Sequence, residues 1–232
     1  MNHQVVRTFF NAWSIYHEVL ERNYMFHNEL FAQVGRAAGD MFGSAAFSVM
    51  DLGCGSARHI SQALRGRNVS RYVGYDLSDV ALAHAREILV ALNCLVELRH
   101  ADLFAGLDDE PTQVDLIFSS FALHHLKSVD KELFFRRALR RLTENGRLLL
   151  IDVVLAEGES RAAWLDRYCG WMRADWTTLP AQALEMAFGH IRQNDFPEAS
   201  ATLHRMARDA GFSRTKDLGH FSGHHAWLFS KR

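Results

Sequence analysis

The chain has 232 residues, 48% of them hydrophobic and 23% charged, with a formal net charge of -1. This is the composition of a globular protein, and it excludes a disordered chain. The balanced charge provides no long-range field for nucleic acid or an anionic membrane, so neither partner is expected.

No uncharged window is long enough to cross a bilayer, and the N-terminus has no positive region followed by an apolar run. A cytoplasmic protein without a membrane partner is the expectation. Cys54, Cys94 and Cys169 are an odd, sparse set that implies reduced thiols. From Val5 to Val34 neither proline nor glycine intervenes, and Phe9, Trp13, Tyr16, Leu20, Tyr24, His27, Phe31 and Val34 recur at helical steps. The pattern predicts one amphipathic helix, ended by Gly35 and Gly39. Tyr16, Tyr24 and His27 give its apolar face polar tips, which makes them candidate substrate contacts.

Phe47 to Arg58 then runs from a buried-strand pattern through a glycine turn into a helix. Gly53 and Gly55 permit a tight turn in which a flat ligand meets bare peptide groups with free N–H donors. Cys54 within it reads as a small packed residue, not a nucleophile. A dinucleotide loop needs a third small residue where Arg58 stands, and a long charged side chain does not fit a close helix–strand contact. With Asp51, Gly53 and Gly55 the stretch resembles motif I of the class I S-adenosylmethionine-dependent methyltransferases, with Ala57 in place of the last glycine of that motif.

A second strand is predicted over Arg71 to Asp76, and Ser78 is a fitting N-cap for a helix from Asp79 to Leu92. Asp76, with Leu77 beside it, follows Gly55 by about twenty residues, the spacing at which a nucleoside site places an acid for the ribose hydroxyls. Leu95 to His100 alternates as a third strand. The resemblance implies that Asp102 accepts the adenine amino group and that Leu103 packs near the ring. A fourth strand covers Val114 to Ser119, and the segment through Ser120 to Leu126 resembles motif IV, in which Ser119 and Ser120 would pass the cofactor. His124 and His125 follow, and with His27 they are the candidate bases, since histidine titrates near neutrality.

Val129 to Leu142 reads as a helix whose four arginines form a solvated face. Glu144 to Gly146 reads as a turn and Arg147 to Val154 as a fifth strand. Strands alternating with helices imply a parallel sheet covered on both faces. Between Leu155 and Pro197 the alternation pauses in a helical insertion. There Trp164, Tyr168 and Trp171 share a face as candidate pocket roof, and Arg161, Arg167 and Arg173 are candidate clamps for a substrate carboxylate. Glu198 to Ala210 is predicted helical, and Ser213 to Leu218 pairs with Ala226 to Ser230. Thirteen histidines, among them His220, His224 and His225, invite a metal, but no Cys-x-x-Cys spacing accompanies them, and none is expected.

The fold class expected is α/β: a Rossmann-like, doubly wound, mostly parallel seven-stranded sheet with an antiparallel last strand. An N-terminal helical cover (1–40), a cofactor-binding core (47–154), a helical insertion or lid (155–197) and a closing helix and strand pair (198–232) would form one domain. The resemblance implies S-adenosyl-L-methionine as cofactor and a small-molecule acceptor methylated at O, N or S, by a monomer or homodimer. Methylation of RNA or protein is the alternative, although the Ser-Ser-Phe-Ala after strand four is not the Asn/Asp-Pro-Pro-aromatic element of amino-directed nucleic-acid methyltransferases. A cofactor-binding module without turnover is the other.

Overall fold

The computed structural model describes residues 13–109 and 112–231, and the side chains of Trp13, Ser14, Tyr16 and Asp109 lie outside that description. The expectations for Phe9, Trp13 and Tyr16 therefore fall outside the described parts. The long N-terminal helix is two helices, α1 (Trp13–Glu21) and α2 (His27–Phe42). Asn23 and Phe26 both adopt left-handed backbone, with φ of 55° and 57°. The Asn23 side chain accepts the Asn28 N–H and donates to Glu29, stabilising the break. The apolar stripe runs across that break unaltered, which is why periodicity alone did not show it.

Gly35 and Gly39 do not end α2; it passes through both to Phe42. Their role is close approach. A Cβ on Gly35 would lie 2.9 Å from the Ala63 carbonyl oxygen, and one on Gly39 would meet the Arg67 guanidinium. α2 is thereby seated against α3 (Arg58–Ala63).

The remaining elements alternate. β1 (Phe47–Leu52) precedes α3, and β2 (Val69–Asp76), α4 (Asp79–Ile88), β3 (Leu95–His100), α5 (Leu103–Asp109), β4 (Val114–Ser120), α6 (Ser128–Arg141) and β5 (Leu142–Leu155) follow. Then come α7 (Arg161–Asp175), α8 (Ala181–Asn194), β6 (Glu198–Ala199), α9 (Ser200–Ala210), β7 (Arg214–Phe221) and β8 (His224–Ser230). The sheet order is β3-β2-β1-β4-β5-β8-β7, with β8 antiparallel to both neighbours. This is the expected Rossmann-like arrangement. It gains an eighth strand, the two-residue β6, which pairs in parallel with β5 at Val154 and Leu155. Glu144 to Gly146 is an irregular stretch inside β5, not a turn: Val114 pairs with Leu142, while Leu116 pairs with Arg147.

Side chains alternate across this sheet with period two. Met50, Leu52, Ile117, Leu148, Leu150, Trp227 and Phe229 belong to the core under α6 and α9. Val49, Leu116, Phe118, Leu149, Ile151, Ala226 and Leu228 belong to the core under α2 and α3. A third cluster joins Val19 of α1 to Trp164, Tyr168 and Met172 of α7 and to Leu184 and Phe188 of α8, and it covers the C-terminal ends of the central strands. A crevice at those ends is where open α/β sheets bind ligands.

Candidate active site

The crevice is a hollow of about 380 Å³. Its first half is built from strand ends. β1 delivers Asp51, and the turn that follows takes left-handed backbone at Gly53 (φ 77°), Gly55 (φ 52°) and Ala57 (φ 55°). Glycine adopts this region freely, whereas alanine there costs about 1–2 kcal/mol. A Cβ on Gly53 would lie 2.7 Å from that of Ala122, so the turn meets the end of β4 only because Gly53 has no side chain.

The glycine N–H donors of this turn are not free, contrary to expectation. Gly53 and Cys54 donate to the Tyr75 carbonyl at 2.8 and 2.9 Å, and Gly55 donates to Asp76 Oδ2 at 2.8 Å. A loop whose amides are already taken is a poor phosphate cradle. The Cys54 thiol packs where a Cβ on Gly74 would sit, and burial raises its pKa well above that of an ordinary cysteine. It is packing, as its sequence context suggested.

Three carboxylates rim this half. Asp76 accepts from Ser78 N as well as Gly55 N; burial raises its pKa against the lowering effect of those bonds. Asp51 is buried, and the Tyr72 hydroxyl donates to its Oδ2. Burial carries the Asp51 pKa up to about 7, against the Tyr72 bond and with help from the charge of Asp76. Its Oδ1 is buried without a hydrogen-bond partner. Asp102 caps α5, its Oδ1 accepting from Phe104 N and Ala105 N at 2.9 Å. Leu77, Leu103 and Ser120 also line the hollow. Ser119 does not: fully buried, it donates to the Leu52 carbonyl at 2.8 Å and ties β4 to β1. Its expected contact with a cofactor is therefore replaced by a structural one.

The donor set fits a nucleoside with hydroxyl, amino and cationic groups better than one with phosphates. The rim supplies acceptors, among them the orphaned Asp51 oxygen, and the guanidinium nearest the turn, Arg58, is paired with Glu21. S-adenosylmethionine has hydroxyls, amines and a sulfonium, and no phosphate.

The second half of the hollow is an apolar chamber with one polar pole. Val19, Met25, Phe121, Met172, Trp176 and Ile191 line the chamber. The pole begins at the 3-10 turn Leu123–His125 after β4, where His124 and His125 are both buried. His124 Nδ1 lies 2.5 Å from Asp152 Oδ1 on β5, and His124 Nε2 lies 3.8 Å from Asp195 Oδ2. His125 Nδ1 lies 3.2 Å from Asp195 Oδ1 and 3.3 Å from the Asn194 carbonyl. Burial opposes charge on His124, but Asp152 and Asp195 outweigh it and its pKa is raised. Burial likewise disfavours the Asp195 carboxylate, yet the nearby His124 and His125 hold its pKa down.

Asp195 follows α8 by one residue, and the segment is stitched to the histidine turn. Phe196 N donates to the His124 carbonyl at 2.7 Å, and the buried Lys131 ammonium donates to the carbonyls of Leu126 and Phe196. His190, one turn back on α8, also lines the hollow; burial lowers its pKa to about 4.

The remaining candidates separate into wall and scaffold. His27 lines the hollow, stacked on His59 at 4.8 Å, and burial lowers its pKa well below the ordinary value, which makes it a weak base. Tyr168 lines the chamber through its ring. Its hydroxyl donates to His224 Nε2 at 2.9 Å, because the neutral His224 must use Nδ1–H on the Phe221 carbonyl. Trp164, Trp171 and Tyr24 are scaffold behind the wall, not roof. Trp164 stacks on Tyr168 at 4.8 Å, and Tyr24 stacks on Trp176 at 5.1 Å and bonds Thr178. The arginines clamp nothing in the hollow: Arg161 binds backbone carbonyls of Arg192 and Asp195, Arg167 binds Glu159, and Arg173 binds Glu185.

Asp152, His190, Asp195 and Trp176 were not among the expected site residues. Asp152 had a readable signal, a lone acid in the apolar run Leu148 to Val154. Nothing in the local sequence marks Asp195.

Residues 49–146 match the family model described as a methyltransferase domain. No curated protein matches the chain in sequence. Among solved structures, it is similar to the plantazolicin methyltransferase in complex with SAH, at TM-score 0.68 and 13% identity, covering 99% of this chain and 95% of that one. It is also similar to magnesium protoporphyrin IX methyltransferase from Synechocystis PCC 6803 with bound SAH, at TM-score 0.64 and 16% identity, covering 100% of both. A cyclopropane synthase from Mycobacterium tuberculosis superposes at TM-score 0.55 and 20% identity over 79% of this chain, which spans 62% of that protein.

Proposed function

We propose that this chain, whose residues 49–146 match a methyltransferase domain, is a class I S-adenosylmethionine-dependent methyltransferase that methylates a small molecule with an apolar body and one protic head. The observation that carries this reading is the division of one hollow into an acceptor-rimmed half and an apolar chamber with a histidine–aspartate pole. Bound S-adenosylmethionine supplies a methyl group on a positively charged sulfur. The residues proposed to hold it are Asp51, Gly53, Gly55, Asp76, Leu77, Asp102, Leu103 and Ser120.

The protein's own work is then orientation and proton management. Methyl transfer is an in-line displacement that needs no covalent intermediate on the enzyme, and holding the reactants in register can supply an effective molarity of about 10⁵–10⁸ M. The chamber excludes water and receives the apolar body. The protic head meets the pole of His124, His125 and Asp195, and its O–H, N–H or S–H proton passes to Nε2 of His124, near the Asp195 carboxylate. Asp152 fixes the His124 ring by accepting its Nδ1–H. With two buried carboxylates at the pole and the three arginines committed elsewhere, a carboxylated acceptor, the other substrate type the arginines had suggested, loses its support.

Incubation with methyl-labelled S-adenosylmethionine and a fractionated metabolite extract tests this. Label is expected in small, apolar compounds. Label only in RNA or protein would overturn it, as would cofactor binding without transfer to any fraction.

A further inference from the structure

We propose that His124, His125 and Asp195 form a binding site for one divalent transition-metal ion of the zinc type, open toward the acceptor chamber. One nitrogen of each imidazole and one oxygen of the carboxylate lie within 4.8 Å of one another, all on buried residues. Two donors bound to the same tetrahedral ion at about 2.1 Å are separated by roughly 3.4 Å. The separations of 3.2 Å for His125 Nδ1 to Asp195 Oδ1 and 3.8 Å for His124 Nε2 to Asp195 Oδ2, each to its own carboxylate oxygen, straddle that value. Turning the Asp195 carboxylate and the imidazoles, whose ligand atoms all lie within 4.8 Å of one another, would close the set on an ion.

Two further observations point the same way. His124 gives its other nitrogen, Nδ1, to Asp152 at 2.5 Å, the carboxylate–histidine arrangement that orients metal-binding imidazoles. The pole also holds two buried carboxylates, Asp152 and Asp195, whereas the nearby cation, Lys131, is itself shared with Glu198 at 3.7 Å. Buried carboxylates call for compensating positive charge. In the metal-free protein, imidazole nitrogens are bonded to Asp152 and to the Asn194 carbonyl, while Asp195 Oδ1, 3.2 Å from His125 Nδ1, is buried without a hydrogen-bond partner. An ion held by His125 Nδ1 and Asp195 would replace the proton on that nitrogen, which is released to solvent.

Three protein donors leave a fourth position, as in catalytic and not structural sites, and all three residues line the hollow. The role this gives the ion rests on the methyltransferase reading above: the acceptor head would be a hydroxyl, thiol or comparable group that ligates as it loses its proton to solvent. The spacing of the histidines along the chain said nothing about such a site, because Asp195 is brought to His124 and His125 by the fold.

The test is titration of the chelator-treated full-length chain with cobalt(II) chloride, followed by visible absorption, and with zinc chloride, followed by calorimetry. One equivalent is expected. Asp195→Asn and His125→Gln should each weaken uptake about a hundredfold or more, and Asp152→Asn by about 10- to 100-fold. Melting curves establish that each variant is folded, and should Asp195→Asn not fold, His125→Gln decides. His220→Gln, in the trio of exposed Asp217 and His220 with half-buried His225, should leave uptake unchanged. No uptake by the wild-type chain, uptake insensitive to both pole variants, or uptake lost only with His220→Gln would each overturn the proposal. The titration needs neither methyl donor nor acceptor, so its outcome is separate from that of the labelling experiment.

Discussion

The two halves of the hollow are assembled in different ways. The cofactor half comes from three successive strand ends, with Asp51, Asp76 and Asp102 each placed at the carboxyl end of its own strand and held by bonds to nearby backbone or to the neighbouring strand. The acceptor half unites a turn after β4, a residue within β5 and the segment after α8. Its key contacts, such as His125 to the Asn194 carbonyl, join residues 69 apart in sequence. The first half takes its carboxylates from the ends of the sheet strands, whereas the pole depends on the insertion folding back over the sheet.

That contrast predicts separable defects. The largest concerns the pole: His124→Gln or Asp195→Asn should reduce methyl transfer by about 10²–10⁴-fold, the range of lost proton-transfer catalysis, with the dissociation constant for S-adenosylhomocysteine unchanged by calorimetry. A parallel loss of cofactor affinity would break the separation. Next, Asp76→Ala should weaken cofactor binding at least about tenfold, by loss of the acceptor proposed for the ribose hydroxyls, while the melting curve shows a folded protein.

Asp51 gives a pH signature confined to the cofactor half. Its pKa is raised in the folded protein from 3.8 to about 7 by burial, so folding favours its protonated form. The stability of the cofactor-free chain from this group is therefore full below about pH 4 and falls as pH rises toward 7. Asp51→Asn should flatten the dependence of melting temperature on pH across that window. An unchanged slope would remove Asp51 as its source. The smallest effect is at Ala57, whose left-handed backbone carries strain that glycine would relieve. Ala57→Gly should raise stability to denaturant by about 1 kcal/mol or less, part of the relief being offset by the entropy of the unfolded glycine.

The same contrast accounts for what could be read in the chain before its structure. The sheet was legible because period-two alternation and glycine turns are local signals, and so was the cofactor half, whose acids stand at fixed distances from those turns. The break at Asn23 and Phe26 was hidden by an apolar stripe that continues across it. Ser119 and Ser120 are adjacent, and only the pleat of β4 decides that one faces Leu52 and the other the hollow. Trp164 and Trp171 share a helical face with Tyr168, yet only the Tyr168 ring reaches the chamber, since helical phase does not fix depth. Asp195 was invisible for a stronger reason: its role arises from a tertiary meeting with the histidine turn, secured by Lys131 and by the Phe196 amide.

A crystal structure of the chain with S-adenosylhomocysteine tests the two-half account most directly. The account predicts the ribose hydroxyls at Asp76 and the thioether sulfur facing the pole of His124, His125 and Asp195 across the chamber. A sulfur turned instead toward His27 and His59, with the pole sealed from it, would contradict the account.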